Sequence, residues 1–132
     1  MKNFIVLFIF LFLPNLLFAS DTPNKNNWIF VGNSNTTNDD IYIMRTYEID
    51  DVERKFTYLI NYSSTMGVEK SQIAYDNVTF CDRPHRLMIG DMEGFTGKSG
   101  TGKSLGTESG GWWVTVADDS IFRAMINMVC KK

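Results

Sequence analysis

The chain has 132 residues, with 13 Lys and Arg against 15 Asp and Glu and a formal net charge of −2. That length suits one compact domain and is too short for two. The mildly acidic balance excludes the basic faces with which nucleic-acid-binding proteins neutralise phosphate, and it gives no attraction to an anionic bilayer surface.

The N-terminus predicts export. Lys2 and Asn3 are followed by FIVLFIFLFLPNLLFA, an almost unbroken apolar run that ends at small Ala19, with Ser20 next. Basic start, apolar core and small-residue cleavage site are the order of a secretory signal peptide, so residues 1–19 are read as the leader and cleavage is expected after Ala19. The alternative, a retained anchor, is marginal because a bilayer core needs roughly 20 apolar residues. No Cys stands at the cleavage site, so a lipid anchor there has no attachment atom. Losing 19 of 132 residues leaves a single domain of 113, residues 20–132, with 12 Lys and Arg against 15 Asp and Glu and no integral membrane segment.

In chain order, residues 20–27 are polar and predict a loose lead-in. Residues 28–31 (WIFV) and 41–44 (IYIM) are strand candidates joined by a long polar loop, and 46–54 reads as a turn or a single helical turn. Residues 55–62 (KFTYLINY) alternate cleanly, the period of a half-buried strand. A turn follows over 63–68 with Met66-Gly67. Residues 71–80 (SQIAYDNVTF) form the next strand, Asp82-Arg83-Pro84 breaks it, and 86–92 (RLMIGDM) is another. Between Gly94 and Gly111 stand seven Gly residues with several Ser and Thr, which predicts a flexible excursion. Residues 112–116 (WWVTV) return to strand character. Asp118, Asp119 and Ser120 then offer helix N-caps before IFRAMINMVC, whose Ile121, Phe122, Met125, Met128 and Val129 make one apolar stripe.

The expected fold is therefore α+β: an antiparallel sheet of about six strands with one C-terminal helix packed on one face. The exported part holds two cysteines, Cys81 and Cys130, and an oxidising compartment predicts one disulfide between them. It would close a loop of about 50 residues, for which chain entropy gives on the order of 4 kcal/mol. A metal or redox pair fits poorly, since there is no C-x-x-C and His85 is the single histidine.

Residues 97–104, GKSGTGKS, satisfy the phosphate-loop pattern G-x-x-x-x-G-K-[ST] at Gly97, Gly102, Lys103 and Ser104. That chemistry needs a helix beginning at the Lys-Ser pair, whose amides and dipole hold the phosphates. The following LGTESGGWW has no helical period, so nucleotide binding is not expected. The segment is read instead as the middle of the mobile excursion, with Lys98 and Lys103 exposed. Asp39-Asp40, Asp50-Asp51 and Asp118-Asp119 suit solvated turns and caps. His85 lacks a G-x-S-x-G partner motif. Asn35, Asn61 and Asn77 each begin an N-x-[ST] site, relevant only in a eukaryotic secretory pathway. No catalytic, metal or cofactor site is assigned.

The order of pieces resembles the bacterial surface-adhesin protein E family of small exported domains. The resemblance rests on Trp28 in the first strand, DDIYI at 39–43, KFTYLINYS at 55–63 and KSQIAYDNVTFCD ending around Cys81. It continues through the Gly-rich segment and Trp112-Trp113 before a helix ending in Cys130. It implies a sheet with the C-terminal helix tied to one face by the disulfide, and a domain that binds host matrix or serum proteins such as vitronectin and laminin. The family's contact segment falls on residues 67–81, where Lys70 is the single basic residue, with Arg83, His85 and Arg86 just beyond. These four are the candidate partner-binding residues.

The expected function is an exported, non-enzymatic binding domain, adhesin-like and recognising a host or surface macromolecule, in a periplasmic, secreted or cell-surface location. The alternative is a periplasmic accessory protein that binds an envelope component or inhibits an envelope enzyme. A third reading is a small-ligand carrier using an aromatic face of Tyr58, Tyr62, Trp112 and Trp113. The partner class is a protein, with no nucleic acid or nucleotide, and open sheet edges leave room for a homodimer.

Overall fold

Alternating apolar residues build an antiparallel sheet in the computed structural model, which describes residues 27–64 and 67–131. The leader assigned to residues 1–19 and the Met66 position of the predicted turn lie outside the described residues. The strands are β1 (Ile29–Asn33), β2 (Asp40–Glu48), β3 (Glu53–Asn61), β4 (Ser71–Phe80), β5 (Arg86–Ile89), β6 (Met92–Phe95), β7 (Ser104–Glu108) and β8 (Trp112–Thr115). One helix, α1 (Ile121–Val129), follows.

The expected class holds, but the described residues form eight strands rather than about six. The difference has a local cause. β4 pairs with β5 through Val78 and Thr79 and with β6 through Ser71 to Ala74, in one unbroken register. β8 lies beside β5 and β7 beside β6. The sheet thus has six lateral positions, and its last two are each split in the middle.

The split sits at Gly90. A Cβ there would stand 1.7 Å from the Tyr75 carbonyl oxygen, so only glycine lets the two backbones approach. Across from it Asp76 takes a left-handed φ of 54°. Fully buried Asn77 holds the junction: its Nδ2 donates to the Phe56 and Ala74 carbonyls at 3.0 and 2.9 Å, and its Oδ1 accepts from the Gly90 amide at 2.9 Å. The single strand expected over 86–92 is therefore two, because the Gly90 amide turns to donate to the Asn77 side chain and the Asp91 carbonyl turns to accept from the Tyr75 amide.

The expectation of a turn across 46–54 is likewise corrected. β2 runs on to Glu48 and β3 begins at Glu53, with a bulge between Met44 and Tyr47 that breaks the apolar alternation. Asp50 closes the intervening turn by accepting the Val52 and Glu53 amides at 2.8 and 2.7 Å. Those two bonds hold the Asp50 carboxyl below its ordinary pKa.

α1 begins where its sequence says. Ser120 is the N-cap, and its Oγ accepts from the Arg123 amide at 3.2 Å. The helix buries Met125, Ile126 and Val129 against Ile41, Ile43, Phe56, Tyr58, Leu87 and Ile89 of the sheet. Phe122 meets Tyr58 edge-on with centroids 5.6 Å apart. Burial pushes the Tyr58 hydroxyl up to about 12. The Cys81–Cys130 disulfide is present and ties the helix end to the residue after β4. Among the described residues no helix is long and apolar enough to cross a membrane.

Candidate binding face

Because side chains alternate across a strand, the residues between those core positions point to the face that α1 leaves uncovered. That face has two ends, and they are built differently.

At one end, Leu59 and Ile73 are 1% and 3% exposed although no helix covers them. The segment 96–103, which contains most of GKSGTGKS, folds over them as a tight turn with a 3-10 step at Lys98–Gly100. Gly100 has φ +70°, and a Cβ there would lie 2.6 Å from Ile73 Cδ1. The turn is fixed from below. Ser71 Oγ donates to the Gly97 carbonyl at 2.6 Å and accepts from the Gly100 amide at 3.0 Å. Asn61 Oδ1 accepts from the Ser99 amide at 2.7 Å, and Lys98 Nζ donates to the Tyr62 carbonyl.

The expected mobile excursion is therefore an ordered cap, and β7 adds a strand after it. The composition concealed this because the turn's partners are backbone groups and distant side chains. As a phosphate loop the segment is unusable. The amides of Gly97, Ser99, Gly100, Thr101 and Lys103 all donate to protein acceptors, and Ser104 begins a strand instead of a helix. Lys98 and Lys103 are exposed as expected, but on a fixed turn. Beside it, burial would raise the Asp39 carboxyl, yet bonds from the Ser63 amide and from the Thr37 and Ser63 hydroxyls hold it below 3.8. Burial, with Glu69 and Asp39 nearby, pushes Tyr62 up to about 12.

Among the described residues no turn covers the other end. Tyr47, Lys55, Val78, Met88 and Trp113 stand in register across β2, β3, β4, β5 and β8. The Phe80 and Trp113 rings stack there with centroids 5.8 Å apart and planes 20° off parallel. The Arg83 guanidinium lies 5.0 Å from the Phe80 centroid and the Arg86 guanidinium 5.2 Å from that of Trp113. Such pairs are worth about 0.5–1 kcal/mol when exposed. Arg83 also lies 3.8 Å from Asp82, both largely in solvent, a contact of little energetic weight. Among the described residues no carboxylate pairs with Arg86. Two cations thus rest on two stacked rings, open to solvent.

The four predicted partner-binding residues do not form one site. Arg83, His85 and Arg86 belong to the open end, although His85 contributes chiefly its carbonyl, which accepts from the Val116 amide at 2.7 Å. Lys70 precedes β4 and its amide donates to the Phe95 carbonyl at 2.8 Å. The ten residues of β4, about 30 Å of strand, separate it from the arginines. Nor is there a common aromatic face. Tyr58 is buried under α1, Tyr62 lies at the capped end, and Trp112 and Trp113 point to opposite sides of β8. Phe80 was missed by sequence reading, since only the strand register brings it beside Trp113.

Of the glycosylation motifs, Asn61 and Asn77 are buried and hydrogen-bonded, and Asn35 is exposed. Among the described residues no group of three His, Cys, Asp or Glu side chains is placed to hold a metal. No family model, no curated protein and no solved structure matches the chain.

Proposed function

We propose that this chain is an exported, non-enzymatic binding domain, similar in role to the surface-adhesin protein E family, that recruits a protein through the open end of its sheet. One observation carries the reading: Arg83 and Arg86 rest on the stacked rings of half-buried Phe80 and exposed Trp113. Arginine and tryptophan together are the residues enriched where protein interfaces concentrate their binding energy. A disulfide suits an oxidising compartment, which supports export. Within this reading the partner is a host matrix or envelope protein, and Lys70 plays no part because it lies at the other end of β4.

Surface plasmon resonance of the purified domain over immobilised matrix proteins, vitronectin and laminin included, tests this reading. Saturable binding is expected, weakened about tenfold or more by Arg83→Ala with Arg86→Ala and unchanged by Lys70→Ala. Absence of saturable binding to every protein of the panel sinks the matrix-adhesin reading. Protection of the domain from protease on intact cells would move the partner to the periplasm, the setting of an accessory protein.

A further inference from the structure

β8 is the last strand on its side of the sheet, and among the described residues nothing pairs with its outer edge. The Val116 amide donates to the His85 carbonyl at 2.7 Å. Antiparallel alternation from that bond turns the backbone of Val114 and Trp112 toward β5 and leaves the N–H and C=O groups of Trp113 and Thr115 facing outward. Edges of this kind are usually guarded by Lys, Pro or a bulge. The sequence WWVT has no charge and no proline, and β8 pairs with β5 without a register shift. By contrast the opposite edge strand, β1, is interrupted by a bulge between Phe30 and Gly32.

Side-chain chemistry around this edge selects an occupant. Trp112 and Trp113 are 45% and 41% exposed, one on each side of β8, so a strand laid along the edge would be flanked by a ring above and below. Arg86 belongs to β5, yet its guanidinium reaches over the Trp113 ring, one strand nearer the edge. Side chains of an added strand opposite Trp113 and Thr115 would emerge on this same face, beside Arg86, and Arg83 adds a second positive charge behind it.

We infer that the β8 edge accepts an extended acidic peptide segment of a partner protein, its backbone pairing with Trp113 and Thr115 and its alternate carboxylates meeting Arg86. This rests on the protein-binding reading above and names the part of the partner that is recognised. Strand addition supplies backbone hydrogen bonds without sequence preference, and the arginines supply the charge selection.

The probe is a capped synthetic peptide of about eight residues alternating Glu and Val, a typical strand length. It is titrated into the disulfide-bonded domain and followed by amide NMR shifts. Expected are saturable shifts at Trp113 and Thr115, and binding about tenfold weaker with Arg86→Glu. Thr115→Pro removes an outward N–H that β5 does not use, so the domain should fold and lose the peptide. N-methylation of alternate peptide amides, which leaves the domain untouched, should abolish binding equally. Equal binding of the N-methylated peptide, or of a Lys and Val peptide, overturns the inference. So does self-association of the wild-type domain that Thr115→Pro abolishes, which would make a second copy the occupant. If the acidic peptide fails while arginine-dependent capture of a matrix protein persists, edge pairing is wrong and the binding reading stands. If both fail, the reading falls with it.

Discussion

The two ends of the uncovered sheet face start from similar material, apolar side chains that no helix protects. At the capped end, Leu59 and Ile73 are closed off by the turn at 96–103, whose amides are satisfied by Asn61, Ser71 and the turn's own carbonyls. At the open end, Phe80 and Trp113 stack on each other under two arginine side chains, and Trp113 remains 41% exposed. A surface whose polar groups are already paired offers a partner little, because each new contact must replace an existing bond. The open end has its donors available and its rings partly wet. A closed, hydrogen-bonded surface and an open aromatic one thus lie at opposite ends of β4.

That division can be tested from its strongest element down. Cys81 follows Phe80, so the disulfide anchors the open end to α1. Replacing both cysteines with Ser closes no loop in the unfolded chain and should lower stability by about 4 kcal/mol, measured by urea unfolding. Hydrogen exchange of the same variant should rise first around β5 and β8 and last around Leu59 and Ile73. Uniform acceleration would show that the two ends are not separate units.

Ser71→Ala attacks the capped end instead. It strands the Gly100 amide and Gly97 carbonyl and should cost about 1–3 kcal/mol. Limited proteolysis should then cut within 96–103, while the peptide and matrix-protein binding of the open end survives. Loss of that binding would argue against two independent ends.

The smallest effect is electrostatic. Asp39 has its pKa lowered from 3.8, so the stability it contributes is complete above that value and is lost as pH falls through the lower folded value. Asp39→Asn should flatten the acid limb of the stability curve below pH 3.8, read by thermal melting at stepped pH. An unchanged limb would mean that its three hydrogen bonds do not prefer the charged form.

Some of this was legible in the sequence. The bounds of β4, the Ser120 cap, the apolar stripe of α1 and the cysteine pairing all rest on local spacing or simple chemistry, and all stand in the structure. What was not legible depends on residues far apart in the chain. The cap looks like a linker because its anchors Ser71 and Asn61 lie 26 and 38 positions away. The break at Gly90 depends on a carbonyl of β4, and a lone glycine in a strand pattern does not reveal its neighbour. For the proposed binding cluster, sequence offered Arg83 and Arg86 from one line of reasoning and Trp113 from another. Only the β4, β5 and β8 register joins them and adds Phe80, and the length of β4 sets Lys70 apart from them.

Splitting the outer positions of the sheet has one more effect, on solubility. Without the break, the far side would carry one long strand with free amides along its length. Instead it shows a five-residue strand and a four-residue strand, separated by Ser109, Gly110 and Gly111. Stacked fibrils usually need uninterrupted segments of about six or seven residues. The open edge of β8, at four residues, is thus shorter than the segment that such stacking needs.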